Sequence, residues 1–287
     1  ATGDDLPELV VPPQGTRLDH LLVRSPDGAP ALADVAGPRA AHVVQWAAEP
    51  DHDAGIDAVL DVVADAVRHL GGCVRLTGWS QGGWLALIHA ALHPGTVAEL
   101  TLVGTPVTFH PRRTLAGAAA RAVDAATAHP VGRTVVDAWL PTVAAVQHAT
   151  LGRDVWRHLD PVGEAARAIR VLGRVGDDDA YAAGMRALTA FTATAPMSRS
   201  QYAWFVENLV VGDRLARGTL EIGGRTVTPA AVTCPVRLVA GSRDRVVPPS
   251  QAFATADLLT GAAGGSGAAR VTTEVVPRDH LGLFTRE

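Results

Sequence analysis

The feature that most restricts how this chain can fold is an alternation of short apolar runs with segments of helical spacing. "LPELVV" (6–11), closed by Pro12-Pro13, reads as a buried strand, and "AAHVVQW" (40–46) as a second. Between 54 and 70, Ile56, Val59, Leu60, Val63, Val67 and Leu70 recur three and four positions apart, and Gly71-Gly72 stops the pattern. "CVRLTGW" (73–79) is a third strand, "QGGWLALIHAALHP" (81–94) a helix ended by Pro94, and "VAELTLVGTPV" (97–107) a fourth strand. Strands this apolar at consecutive positions have to be covered on both faces. The expected class is therefore α/β, with a mostly parallel, doubly wound sheet.

The alternation stops near Phe109. Residues 109–217 are rich in Ala and Arg, helical in pattern, and carry Trp139, Trp156 and Trp204. It resumes with "CPVRLVAGSRD" as a strand, "PSQAFATADLLTG" as a helix and "ARVTTEVVP" as a last strand, with a flexible loop "GAAGGSG" at 261–267. "EIGGRTVTP" (221–229) predicts a hairpin turning at Gly223-Gly224. The expected organisation is one core in two parts, 1–108 and 218–287, with 109–217 inserted as a helical cap.

Composition narrows the function classes. The net charge of −4 speaks against nucleic acid or an anionic membrane surface as partner. All 25 basic residues are Arg, so neither Schiff-base chemistry nor a P-loop lysine is available. Two cysteines, Cys73 and Cys234, exclude a disulfide scaffold and argue against a cysteine-ligated zinc. Each begins a strand, with one strand between them, which sets them about 9–10 Å apart when a bridge needs less than ~7 Å. Two free, inert thiols are expected. No apolar run has membrane-spanning length, and "ATGDDLPELV" lacks the features of a signal peptide. A cytoplasmic location is expected, with no cofactor and no metal. The chain does not begin with Met and is read as a segment of something larger.

Gly78-Trp79-Ser80-Gln81-Gly82 matches G-x-S-x-G between a strand and a helix. A serine on so sharp a turn needs neighbours without side chains, which Gly78 and Gly82 supply. Its hydroxyl then projects beyond the strand ends, beside the first amides of the next helix. The N–H of Gln81 becomes one oxyanion donor, and Gln14, in the turn "PPQGTRLD", is expected to supply the second. The bland alternative is a chance five-residue match, a turn and nothing more. Of the eleven histidines, His69, His89 and His93 lie on helices and His129, His148 and His158 in the insertion. His280, in "VVPRDHLGLF", directly follows a core strand, where catalytic groups of such sheets collect. Asp244, in "LVAGSRDRVVPP", is the expected orienting acid, against the bland reading of a turn Asp before Pro248. Asp279 adjoins His280 too closely in sequence to face it well.

These residues resemble the catalytic domain of poly(3-hydroxyalkanoate) synthases and related α/β-hydrolases. The resemblance is carried by "LVVPPQGTRLDHLLV", "VVQW" and "HLGLF". It is strongest in "YAWFVENLVVGDRLARGTLEIGGRTVTPAAVTCPVRLVAGSRDRVVPP", where the motifs fall in family order. It implies acyl chemistry on a hydroxyacyl or acyl (thio)ester, small or polymeric. Those synthases carry a cysteine where this chain has Ser80, and a hydroxyl must be activated by a base where a thiolate need not be. The expectation is therefore a serine esterase or thioesterase. An acyltransferase or polyester synthase and a non-catalytic binding module of the same fold remain as alternatives.

Overall fold

A computed structural model describes residues 6–14, 41–44, 46, 54–109, 161–189, 197–260 and 269–284. Its strands are β1 (Glu8–Val11), β2 (Ala41–Val43), β3 (Val74–Trp79), β4 (Val97–Val103), β5 (Leu220–Ile222), β6 (Arg225–Val227), β7 (Val236–Gly241) and β8 (Val271–Val276). Six of them form one sheet in the order β2-β1-β3-β4-β7-β8, every pairing parallel. The chain steps outward from β1 to β2, returns to lay β3 on the other side of β1, and then runs through β4, β7 and β8. In open α/β sheets, such a reversal is where ligands gather, beyond the carboxyl ends of the strands, here β1 and β3. Helix α1 (Ile56–His69) buries Ile56, Val59, Leu60, Val63 and Val67, the face that the spacing predicts.

Helix α2 (Gln81–Leu92) is buried along nearly its whole length. It packs against β1, β3 and β4 of the sheet, against α1, and against β6 of the separate β5–β6 hairpin. A helix enclosed this way has no polar face to offer, which explains its run of Leu, Ile and Ala. Leu85, Leu87 and Ile88 are fully buried, and burying each stabilises the fold by roughly 1.5–3 kcal/mol. The exception is His89, which donates from Nε2 to Thr96 Oγ1 at 3.1 Å, the Thr96 hydroxyl being committed to His93 O. Burial first, and His93 beside it second, lower its pKa from 6.5 to about 4. Between those values the unfolded chain binds a proton that the folded chain refuses, so stability falls as pH drops through this window. The loss reaches about 3 kcal/mol near pH 4. Urea melts across that range are expected to show it, with a flatter acid limb in His89→Gln.

Among the described residues, the chain between β4 and β5 is helical: α3 (Pro161–Leu172), α4 (Asp178–Thr189), α5 (Arg199–Phe205), a π-helical turn (Val206–Val211) and α6 (Arg214–Arg217). Asp213, in a left-handed conformation with φ 45°, fastens the two ends of this stretch together. Its Oδ2 accepts from Thr108 Oγ1 and its Oδ1 from Phe109 N, both at 2.9 Å. Trp204 and Phe205 pack on Trp84 of α2, with ring centroids 6.0 and 5.8 Å away. These two aromatics hold the stretch to the core. Trp139, Trp156 and the 261–267 loop lie outside the described residues. None of the described helices is long and apolar enough to cross a membrane.

Two expectations are corrected. The fourth strand ends at Val103, because Gly104 turns the chain at φ 53°. The helix expected over 249–261 is two, α7 (Pro249–Phe253) and α8 (Thr255–Thr260). The break lets α7 pack on β7 while α8 meets β8 and the 229–231 turn. β8 is the sheet's edge strand and is half exposed, with Glu274 paired to Arg237 of β7. The hairpin turns where predicted, with positive φ at both Gly223 and Gly224. Cys73 and Cys234 are both free, with β4 between the strands they precede. Burial pushes the Cys234 thiol up to about 11, so it stays protonated and unreactive near neutrality.

Candidate active site

Ser80 links β3 to α2 with φ 47° and ψ −113°. It is one of two non-glycine residues with positive φ among those described, a conformation that costs on the order of 1–3 kcal/mol. The surrounding glycines make it possible. A Cβ on Gly78 would lie 2.5 Å from Gly83 Cα, one on Gly82 1.9 Å from Val11 O, and one on Gly83 1.8 Å from Thr105 Oγ1. Backbone at Gly78 and Gly82, and the Thr105 side chain at Gly83, therefore fill the space that side chains would otherwise occupy. The N–H of Ser80 donates to Val103 O at 2.9 Å, fixing the elbow to β4.

Asp244 follows β7 in a tight loop. Its Oδ1 accepts from the N–H groups of Val246 at 2.9 Å and Val247 at 2.7 Å, leaving Oδ2 uncommitted within the loop. The loops after β7 and β8 are stitched together: Ser242 N–H donates to Val276 O and Arg243 N–H to Arg278 O. Gly241 is required at this seam, since a Cβ there would come within 2.3 Å of Arg278 O.

His280 stands on the loop after β8. Its Nδ1 is 2.7 Å from Asp244 Oδ2 and its Nε2 3.1 Å from Ser80 Oγ. The three residues, 36 and 200 positions apart pairwise along the chain, are all buried. Phe284 meets the imidazole edge-on at 5.3 Å and packs on Trp79 at 5.2 Å. Gly104 also lies against the ring, where a Cβ would come within 2.9 Å of Leu283 Cδ1, 3.3 Å of His280 Cε1 and 3.4 Å of Nδ1. Asp279 does not serve His280 as orienter; its Oδ1 accepts from Gly282 N–H at 2.7 Å, closing the short turn that carries the histidine.

The order of strands and the placement of Ser80, Asp244 and His280 at three strand ends can be set against known proteins. No family model matches the chain. Among curated proteins it is similar to the poly(3-hydroxyalkanoate) polymerase subunits PhaC of Allochromatium vinosum and Thiocystis violacea. Identity is 23% in each case, over 234 and 233 residues, covering 80% of this chain and 60% and 59% of theirs. Among solved structures it is similar to an enol-lactonase from Burkholderia xenovorans LB400, at 16% identity and TM-score 0.52, covering 98% of this chain and 87% of that one. It is also similar to the esterase RhEst1 from Rhodococcus sp. ECU1013, at 16% identity and TM-score 0.50, covering 100% and 87%.

The chain has the α/β-hydrolase fold. It resembles poly(3-hydroxyalkanoate) polymerases and spans about 60% of the length of the relatives it matches. In an α/β-hydrolase the residue after the elbow serine presents its amide at the head of a helix, and Gln81 does so here. Gln14, after β1, lies on the facing loop. Its N–H donates to the Gln81 side chain, at 2.9 Å from Oε1. Sequence reasoning named both residues for their backbone amides and missed their side chains. Gln81 Nε2 donates to Gln14 Oε1 at 2.8 Å and lies 3.0 Å from Met197 Sδ, while Gln14 Nε2 donates to Gln201 Oε1 at 2.9 Å. Gly104 and Phe284, which flank the imidazole, were also missed; glycine before a turn and an apolar residue near the end carry no local signal of such a role.

Proposed function

We propose that this α/β-hydrolase is a serine-dependent acyl-transfer enzyme of the esterase or thioesterase type, acting on a hydroxyacyl or acyl (thio)ester. The observation that carries the proposal is the unbroken relay from Ser80 Oγ through both nitrogens of His280 to Asp244. In it, Ser80 Oγ attacks the carbonyl carbon while His280 Nε2 takes its proton. Asp244 Oδ2 holds Nδ1–H, which fixes the tautomer and steadies the imidazolium. The carbonyl oxygen becomes an oxyanion held by Gln81 N–H, with Gln14 N–H as the proposed second donor. His280 returns the proton to the leaving thiolate or alkoxide. An acyl ester then remains on Ser80 until water or an alcohol, deprotonated by the same imidazole, releases it.

The helical stretch within 109–217 is proposed as a cap over this site. Support comes from Asp213, which brings its two ends to one point beside β4, as an insertion in a core requires. The likeness to polymerases favours one second reading, in which the acceptor is the hydroxyl of another hydroxyacyl unit. The two readings separate in one assay with a 3-hydroxyacyl thioester. Hydrolysis gives free hydroxy acid in step with released thiol. Transfer gives oligoester and a deficit of acid. Thiol release equal to the uncatalysed rate would count against both.

A further inference from the structure

We infer that the side chain of Gln81 is a clasp on the oxyanion site: it holds the Gln14 N–H that an acyl oxyanion needs, and substrate has to displace it. The inference rests on the proposed nucleophilic role of Ser80. The loop carrying Gln14 is pressed against the elbow, as the approach of Val11 O to Gly82 demonstrates. Gln81 and Gln14 form a reciprocal pair there, backbone N–H to Oε1 at 2.9 Å and Nε2 to Oε1 at 2.8 Å. The two facing amides therefore differ. Gln81 N–H, at the head of α2, has no acceptor within its own helix, whereas Gln14 N–H is already engaged.

A tetrahedral oxyanion is the stronger acceptor, because a hydrogen bond to a charged oxygen is roughly twice as strong as one to a neutral amide. The exchange runs in favour of the transition state, yet each turnover must first break the carboxamide pair. The clasp is also tied to the helical stretch above it. Gln14 Nε2 binds Gln201, itself buried, and Gln81 Nε2 contacts Met197. Both partners lie at or just before α5. An acyl chain that shifts α5 therefore loosens the carboxamide in the same movement, coupling occupancy under the helix to completion of the hole.

The test uses an alkyl trifluoromethyl ketone. Ser80 Oγ adds to its carbonyl carbon, the carbonyl π pair becomes the oxyanion, and the Ser80 proton passes to His280 Nε2. Gln81→Met keeps side-chain length but removes the acceptor. It is expected to bind the ketone about five- to tenfold more tightly, the release of one hydrogen bond, with kcat/KM for a short ester rising in parallel. In the wild type, the nitrogen-15 amide signal of Gln14 and the Gln81 side-chain amide signals are expected to move together when the adduct forms. Ketone binding in Gln81→Met that is unchanged or weaker overturns the clasp, and so does a Gln14 amide unmoved by the adduct. The wild-type spectrum decides the matter even where the variant folds poorly. Absence of any Ser80-dependent fluorine-19 hemiketal signal in the wild type marks a different failure, that of the nucleophile, and takes the clasp down with it.

Discussion

Ser80→Ala is expected to lower kcat for acyl-ester cleavage about a million-fold, to the small residue that binding and oxyanion contacts alone provide. Neither cysteine stands in as the nucleophile. The two thiols are free, but they precede β3 and β7, at the end of the sheet opposite the elbow. Ser80 also occupies a strained backbone position, and alanine adopts the same φ and ψ at no greater cost. The variant should therefore keep its fold, with an unshifted urea midpoint, while activity disappears. A large drop in midpoint together with activity would mean that the serine acts through structure.

Asp244→Asn is expected to cost about ten-thousand-fold in kcat with little loss of stability. The replacement keeps the shape that accepts from Val246 and Val247. The group facing His280 Nδ1 can then become an N–H donor, which drives the imidazole to the tautomer protonated at Nε2. An Nε2–H cannot take the Ser80 proton. Steady-state kinetics on a short-chain ester measures the loss, and a parallel melt separates it from unfolding. A loss under tenfold would make Asp244 a turn residue, held by its two amides for the sake of the loop.

Much of this molecule is legible in its sequence where the signal is local. Ile56, Val59, Leu60, Val63 and Val67 announce α1 because burying one face requires that spacing. Gly78, Ser80 and Gly82 announce the elbow because a positive φ and close backbone approach admit few other residues. Asp244 and His280 are legible by topology: in a sheet of parallel strands their places after β7 and β8 bring them to the same rim. What escapes the sequence is set by contacts between distant segments. The ring of Gln14 and Gln81 joins positions 67 apart, and Gln14 and Gln201 lie 187 apart; glutamine has no positional signature that pairs it with another. Gly104 matters because Leu283 and His280 close over it. The exposed face of β8 follows from its being last in the sheet, and Val271, Val275 and Val276 alone do not mark an edge.

The central claim is that Ser80 Oγ, activated by His280, becomes covalently acylated. It is met most directly by treating the folded protein with a fluorophosphonate, measuring its intact mass, and mapping the modified peptide. One phosphonyl adduct, on the peptide carrying Ser80 and lost in both Ser80→Ala and His280→Ala, is the expected result. A folded protein that takes up no label, or takes it up at another residue with Ser80 untouched, would contradict the account.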